Sequence, residues 1–119
     1  MRRGDVWDVR LDRPPVGAEQ GGTRPAVIVS RDVINETSPA IVVVPCTSWH
    51  PGRRVFTSQA LIFAPDGGLT NDSVVMGEQI RVVDKRRLVR FRGRLSHEAM
   101  LVIEQALLVA LNLPGADGA

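Results

Sequence analysis

The chain has one cysteine, Cys46, no tyrosine, and a single lysine, Lys85, against fourteen arginines. One thiol closes no disulfide within the chain, and with His50 and His97 as the only histidines there is no Cys/His spacing of the zinc-holding kind. Also missing are a phosphate-cradling glycine loop, a paired-histidine helix, a G-x-S-x-G elbow and a dense carboxylate cluster for a divalent ion. No apolar run approaches the length of a membrane span, and Met1-Arg2-Arg3 leads into Gly4-Asp5 rather than a secretory apolar segment. These absences predict a cytoplasmic protein that neither enters nor crosses a membrane. If it is an enzyme, it works without metal or cofactor and its nucleophile comes from the substrate.

What is present suits one domain over residues 1–119, because 119 residues with 44% hydrophobic content can bury one core. The net charge is only +2, yet it is unevenly spread. Arg81, Lys85, Arg86, Arg87, Arg90, Arg92 and Arg94 crowd a stretch of fourteen residues in which Asp84 is the sole counter-charge. Such a stretch is either a surface for an anionic partner or a solvated strand-and-turn face. The preference for arginine suits bidentate phosphate contacts, and GC-rich codon usage would produce it equally well.

Trp7, Val9 and Leu11 alternate with more polar neighbours, which predicts a half-buried first strand over residues 6–11. Pro14, Pro15, Gly17, Gly21 and Gly22 then mark an exposed loop up to Arg24, long for a hairpin and so a candidate for function. The β-branched runs 25–29 and 41–44 read as central strands buried on both faces. Residues 55–63, 73–83 and 88–95 read as further strands, the first two parted by the turn Pro65-Asp66-Gly67-Gly68. Short strands at this spacing suggest a small barrel. After Ser96, read as the N-cap, a helix of four to five turns is expected to run until Pro114-Gly115. Because that helix is apolar nearly all round, it needs two burial partners, its own sheet and a second subunit. A homodimer is therefore expected.

Three polar patches interrupt this pattern. Glu19-Gln20-Gly21-Gly22-Thr23-Arg24-Pro25 sets a carboxylate and a guanidinium on the glycine-rich loop, and the proline biases Arg24 towards extended backbone. Taken alone, the same residues make a simple turn with a surface arginine. Strand 41–44 runs into Pro45-Cys46-Thr47-Ser48, whose hydroxyls can donate to a phosphate oxygen or cap a strand end. Cys46 reads as a small buried residue with no chemistry. Glu78-Gln79-Ile80-Arg81 is a polar break within an apolar run, or else the solvated face of a barrel-mouth strand. Trp49 can stack on a base or cover the core edge.

Together, Arg3-Gly4-Asp5-Val6-Trp7, the segment from Gly17 through Arg24-Pro25 to Val29, Val44-Pro45-Cys46-Thr47-Ser48 and Glu78-Gln79-Ile80-Arg81 resemble the successive motifs of MazF/PemK toxins. They are in register over almost the whole chain. The resemblance implies a mainly β fold, an SH3-like barrel with a long C-terminal helix. It also implies a homodimer, ribosome-independent and sequence-specific cleavage of single-stranded messenger RNA, and neutralisation by a MazE-like antitoxin. By position, Arg24 and Thr47 match the pair that the family sets around the scissile phosphate. Glu19 falls on the family's loop carboxylate, and Glu78 on an acidic residue proposed as general base in plasmid-borne relatives. The chain departs from those relatives at Met76, in place of an arginine, and at Ala18, in place of a histidine.

That chemistry fits these residue types. RNA carries its own nucleophile, so catalysis requires removal of the 2′-hydroxyl proton, stabilisation of charge at phosphorus and departure of the 5′-oxygen. The expected roles are charge stabilisation by Arg24, donation by Thr47 and polarisation of the 2′-hydroxyl by Glu19 or Glu78. Gln20, Ser48, Trp49, Arg53, Gln79 and Arg81 are the candidate RNA contacts, in a groove that an acidic antitoxin segment would also cover. Two rival readings use the same barrel: a gyrase-binding toxin of the CcdB kind, and a non-catalytic nucleic-acid-binding module.

Overall fold

The strand that organises the fold is β3 (Ala40–Ser48), whose sequence AIVVVPCTS is rich in β-branched residues that suit a pleated, doubly covered backbone. In the computed structural model, which describes residues 1–11, 16–17 and 20–116, it is joined by β1 (Asp5–Arg10), β2 (Thr23–Ile28), β4 (Gln59–Ile62), β5 (Ser73–Met76), β6 (Arg81–Asp84) and β7 (Leu88–Arg94). Two helices accompany them, α1 (Asp32–Thr37) and α2 (His97–Leu111). The strand order is β4-β5-β3-β2-β1-β7, with β6 also pairing β3. Every pair is antiparallel.

Nine residues let β3 serve three neighbours. Residues 43–45 pair with β2, residues 40–43 with β6, and residues 46–48 with β5. Since side chains alternate across a strand, this splits the core in two. Val27, Val44 and Cys46 join Val6 and the α2 residues Ala99, Ile103 and Ala106 in one cluster. Ala26, Ile28, Ile41 and Val43 join Val9 and Leu11 in the other. The expectation that the two central runs are buried on both faces holds. Each such valine or isoleucine, removed fully from water, contributes about 1.5–3 kcal/mol.

The mainly β architecture with one long terminal helix is as expected, but among the described residues no strand pair joins β7 to β4. The gap is filled by a 3₁₀ turn, Asp66–Gly68, laid against β7. A Cβ on Gly93 would lie 2.9 Å from the Gly67 carbonyl carbon and from the Gly68 nitrogen. Only glycine permits that approach of backbone to backbone.

Two expected elements differ. The run 73–83 is not one strand but β5 and β6, separated by the 3₁₀ turn Gly77–Gln79. Gly77 donates its N–H to the Ser58 carbonyl at 3.0 Å, and a Cβ there would sit 2.5 Å from that oxygen, so the chain is pinned and turns. The run 55–63 shortens to β4 because Gln59 N–H closes a turn onto the Phe56 carbonyl, leaving Phe56 half exposed. Helix α1 was not expected at all.

Helix α2 begins where the sequence placed its cap. The Ser96 hydroxyl accepts from the Ala99 N–H. It ends with Asn112 in the left-handed region at φ 52° and the Leu113 N–H donating to the Leu108 carbonyl, a closure that Pro114 keeps from continuing as helix. Ala99, Ile103 and Ala106 face the sheet. Leu101, Val102 and Leu111 are about half exposed. No helix among the described residues is long and apolar enough to cross a membrane.

Candidate active site

Two prolines create the cleft. The β2–β3 ladder runs through Ile28–Val43, Val27–Val44 and Ala26–Pro45 and stops there. Pro45 and Pro25 have no N–H to extend it. Beyond that point β2 keeps pairing with β1 while β3 turns to β5, so the two strands part. Continued two residues further, the same register sets Arg24 against Thr47, on the face carrying Ala26 and Pro45.

Both residues line the cleft that opens there, a cavity of about 630 Å³ bordered also by Gly21, Gly22, Ser48, Asn71 and Arg92. Arg24 is half buried, and its Nε donates to the Gly21 carbonyl at 3.0 Å, which leaves the far end of the fork for an anion. Thr47 is half buried and Ser48 exposed. Thr23, Thr70 and Ser73 add further hydroxyls to the lining. The described lining residues thus carry two guanidinium groups and no carboxylate. An anion that can accept several hydrogen bonds, such as a phosphodiester, matches this set.

Cys46 also borders the cleft but is buried. Burial pushes its thiol pKa up to about 12, against a smaller downward pull from the charge of Arg92. At neutral pH it is a thiol and a poor nucleophile.

A model of the PemK-like, MazF-like toxins of type II toxin–antitoxin systems matches residues 2–111 of this sequence. The chain belongs to that family. It is 40% identical over 118 residues to "Endoribonuclease MazF9" of Mycobacterium tuberculosis (strain ATCC 25618 / H37Rv), covering 95% of this chain and 98% of that protein. It is 37% identical over 113 residues to "Endoribonuclease EndoA" of Bacillus subtilis (strain 168), covering 95% and 96%. Among solved structures, an endoribonuclease in complex with its cognate antitoxin from a Mycobacterial species superposes with a TM-score of 0.78 at 27% identity, over 96% of this chain and 97% of that one. The Deinococcus radiodurans MazF structure gives a TM-score of 0.77 at 23% identity, over 95% and 97%, and bears on the fold alone.

The other residues singled out in this toxin sequence do not all gather at the cleft. Glu19 lies outside the described residues. Glu78 lies away from the cleft in a shallow depression with Gln79, Ile80, Arg81 and Val82. Its carboxylate accepts from Gln59 Nε2 at 2.6 Å and from the Ser58 hydroxyl at 3.2 Å. Arg81 links the two regions, its Nη1 donating to the Gln20 carbonyl at 3.3 Å. Trp49 is half buried and its indole N–H donates to the Arg53 carbonyl at 3.1 Å, so both sit on one small loop that directly follows Ser48.

Arg92, Thr70 and Asn71 were not singled out as site residues. Arg92 was legible only as one member of a basic stretch, and residues 69–73 only as the sequel to a turn. Their place at the cleft depends on the packing of Asp66–Gly68 against β7, a long-range contact. Among the described residues no group of three or more His, Cys, Asp or Glu side chains could hold a metal ion.

Proposed function

We propose that this toxin is a metal-independent, sequence-specific endoribonuclease of single-stranded RNA that leaves 2′,3′-cyclic phosphate and 5′-hydroxyl ends. The observation that carries the reading is the sharing of one anion-suited cleft by Arg24 and Thr47. With the scissile phosphate in that cleft, a base takes the 2′-hydroxyl proton and the 2′-oxygen attacks phosphorus. The bond to the 5′-oxygen then breaks, and that oxygen takes up a proton. Arg24 and the Thr47 hydroxyl stabilise the negative charge that builds on the non-bridging oxygens, and Arg24 orients the leaving group. Glu19 is the carboxylate assigned to the 2′-hydroxyl, since it precedes the cleft residue Gly21 by two positions and no described carboxylate lines the cleft. Glu78, with Gln20, Gln79 and Arg81, reads bases beside the cut, and Ser48, Trp49 and Arg53 hold the strand on the other loop.

The toxin works in the cytoplasm as a homodimer, held by a cognate antitoxin whose acidic segment covers the RNA groove. Support for the second subunit comes from α2, where Leu107, Leu108 and Leu111 line an apolar groove of about 520 Å³ together with Ile34, Val42 and Ile80.

The deciding experiment is incubation of the purified protein with a long RNA in chelator, with the ends mapped by primer extension. The wild type cuts at short defined sites, Arg24→Ala falls below it by at least about 100-fold, and Thr47→Val by a similar factor while Thr47→Ser retains most activity. Full activity of Arg24→Ala would remove this residue from the mechanism. Intact RNA together with stalled gyrase would favour a protein-binding toxin instead.

A further inference from the structure

One residue of the basic stretch, Arg92, lines the cleft without a part in the reaction above. In the β1–β7 ladder, Val6 faces Gly93 and Trp7 faces Phe91, so Arg92 is skipped. It is a bulged residue, and bulges re-aim side chains. This one delivers Arg92 into the lining of the Arg24–Thr47 cleft.

The guanidinium is held there on three sides. Nη1 donates to Asp8 Oδ1 at 3.1 Å, Nε to the Gly68 carbonyl at 3.3 Å, and Nη2 to the Thr70 hydroxyl. Its side chain is only 12% exposed. These bonds occupy one N–H on each nitrogen, and a guanidinium has five. One N–H on each terminal nitrogen therefore lies beyond the anchors. The charge is not cancelled either: Asp8 also pairs with Arg90 at 3.3 Å, so one carboxylate serves two guanidinium groups. Its field extends to Cys46 at the cleft, where it opposes the larger effect of burial.

We infer that Arg92 is a second phosphate-binding residue of the cleft, gripping a phosphodiester next to the scissile one in the bound RNA. The assignment rests on the ribonuclease reading above. β1 separates β2 from β7 in the sheet, and Arg24 faces Val9 whereas Arg92 is bulged at the level of Val6 and Trp7, so their backbones stand two strand spacings apart across the sheet, about 10 Å, and two to three residues apart along it. That suits neighbouring phosphates rather than two grips on one. Preorganised by Asp8, Gly68 and Thr70, Arg92 loses little side-chain freedom on binding. A substrate with a single phosphodiester therefore forgoes its contact.

The test is the salt dependence of binding to a single-stranded RNA oligonucleotide, followed by fluorescence anisotropy in an Arg24→Ala background that does not cut. Arg92→Gln is expected to weaken binding on the order of 10-fold and to flatten the slope of log affinity against log salt by about 0.7, one phosphate contact on a single strand. Arg92→Lys, which keeps the charge, restores the slope. A methylphosphonate scan of the oligonucleotide should find one neighbouring position whose neutralisation harms the Arg24→Ala protein but not the double variant. If Arg92→Gln lowers the melting temperature yet leaves slope and scan unchanged, Arg92 is a brace between β1 and β7 and the inference is overturned. Should the Gln variant not fold, the methylphosphonate scan of the Arg24→Ala protein decides: with Arg92 intact, no sensitive position beside the scissile phosphate overturns the inference. Wild-type cleavage of the unmodified RNA reports on the ribonuclease reading separately, because the slope is measured without cutting.

Discussion

Gly68 meets Arg92 backbone to backbone: a Cβ on the glycine would lie 2.1 Å from the Arg92 carbonyl oxygen and 2.6 Å from its carbon. This contact takes the place of a strand pair in the gap between β4 and β7, and it fixes the backbone of a cleft residue. Gly68 also has φ +70°, a region costly for any side chain. Gly68→Ala should therefore lose at least about 2 kcal/mol of stability, lowering the melting temperature by several degrees. Gly52 is the control, with φ +94° and nothing within 4 Å of an added Cβ. Gly52→Ala should cost about 1 kcal/mol, from backbone conformation alone. Equal losses in thermal unfolding would show that the turn on β7 does not matter.

Ser96 joins the same turn to α2. Asp66 accepts from the Ser96 N–H at 2.8 Å and from its hydroxyl at 2.6 Å, while that hydroxyl accepts from the Ala99 N–H. Ser96→Ala removes a helix cap and strands one carboxylate oxygen, so its cost should lie near the upper end of the usual range, about 1–2 kcal/mol. Asp66→Asn keeps an acceptor for the backbone N–H and should cost less. Chemical denaturation of both variants measures the order, and the reverse order would refute it.

The cap and the carboxylate illustrate what could be read in advance. Ser96 was legible as a cap because capping is local, settled within four residues. Its bond to Asp66, thirty positions away, was not. The same divide separates Arg24 and Thr47 from Arg92. The first two lie at the ends of β-branched runs that announce themselves as central strands, each broken by a proline, whereas Arg92 reaches the cleft through a bulge that no local pattern marks. Helix α1 is not legible in the sequence because its six residues bury only Asn35, which leaves no apolar stripe. The run 73–83 reads as one strand because nothing nearby reveals that Gly77 is pinned by Ser58.

The half-exposed side of α2 offers a check on assembly. Leu107, Leu108 and Leu111 follow helical spacing along the apolar groove, and Glu104 at its edge is tied to Arg3 by a 2.8 Å ion pair. If a second copy packs here, Leu111→Arg buries an unpaired charge in each subunit and should weaken self-association by at least about 100-fold. Analytical ultracentrifugation would then detect monomer at micromolar concentration. An unchanged dimer would move the interface elsewhere. Leu111 is about half exposed in the single chain, so the monomer itself should fold.

Cys46 makes a prediction in alkaline solution. Its pKa is raised from 9.0 to about 12 by burial, so the folded chain keeps the thiol proton where the unfolded chain has lost it. Between pH 9 and 12 the unfolded state binds fewer protons, and the linkage slope is negative. Stability falls as pH rises through this window, by at most about 1.4 kcal/mol per pH unit from this group. Well below pH 9 both states are protonated and the contribution is constant. Cys46→Ala should show a shallower decline than the wild type between pH 9 and 10.5 in urea unfolding, once other titrating groups are matched by the comparison. Parallel curves would mean that the thiol ionises in place. The same protonation state predicts that iodoacetamide at pH 8 leaves the folded protein unmodified and its RNA cleavage unchanged, with alkylation appearing only as the chain unfolds.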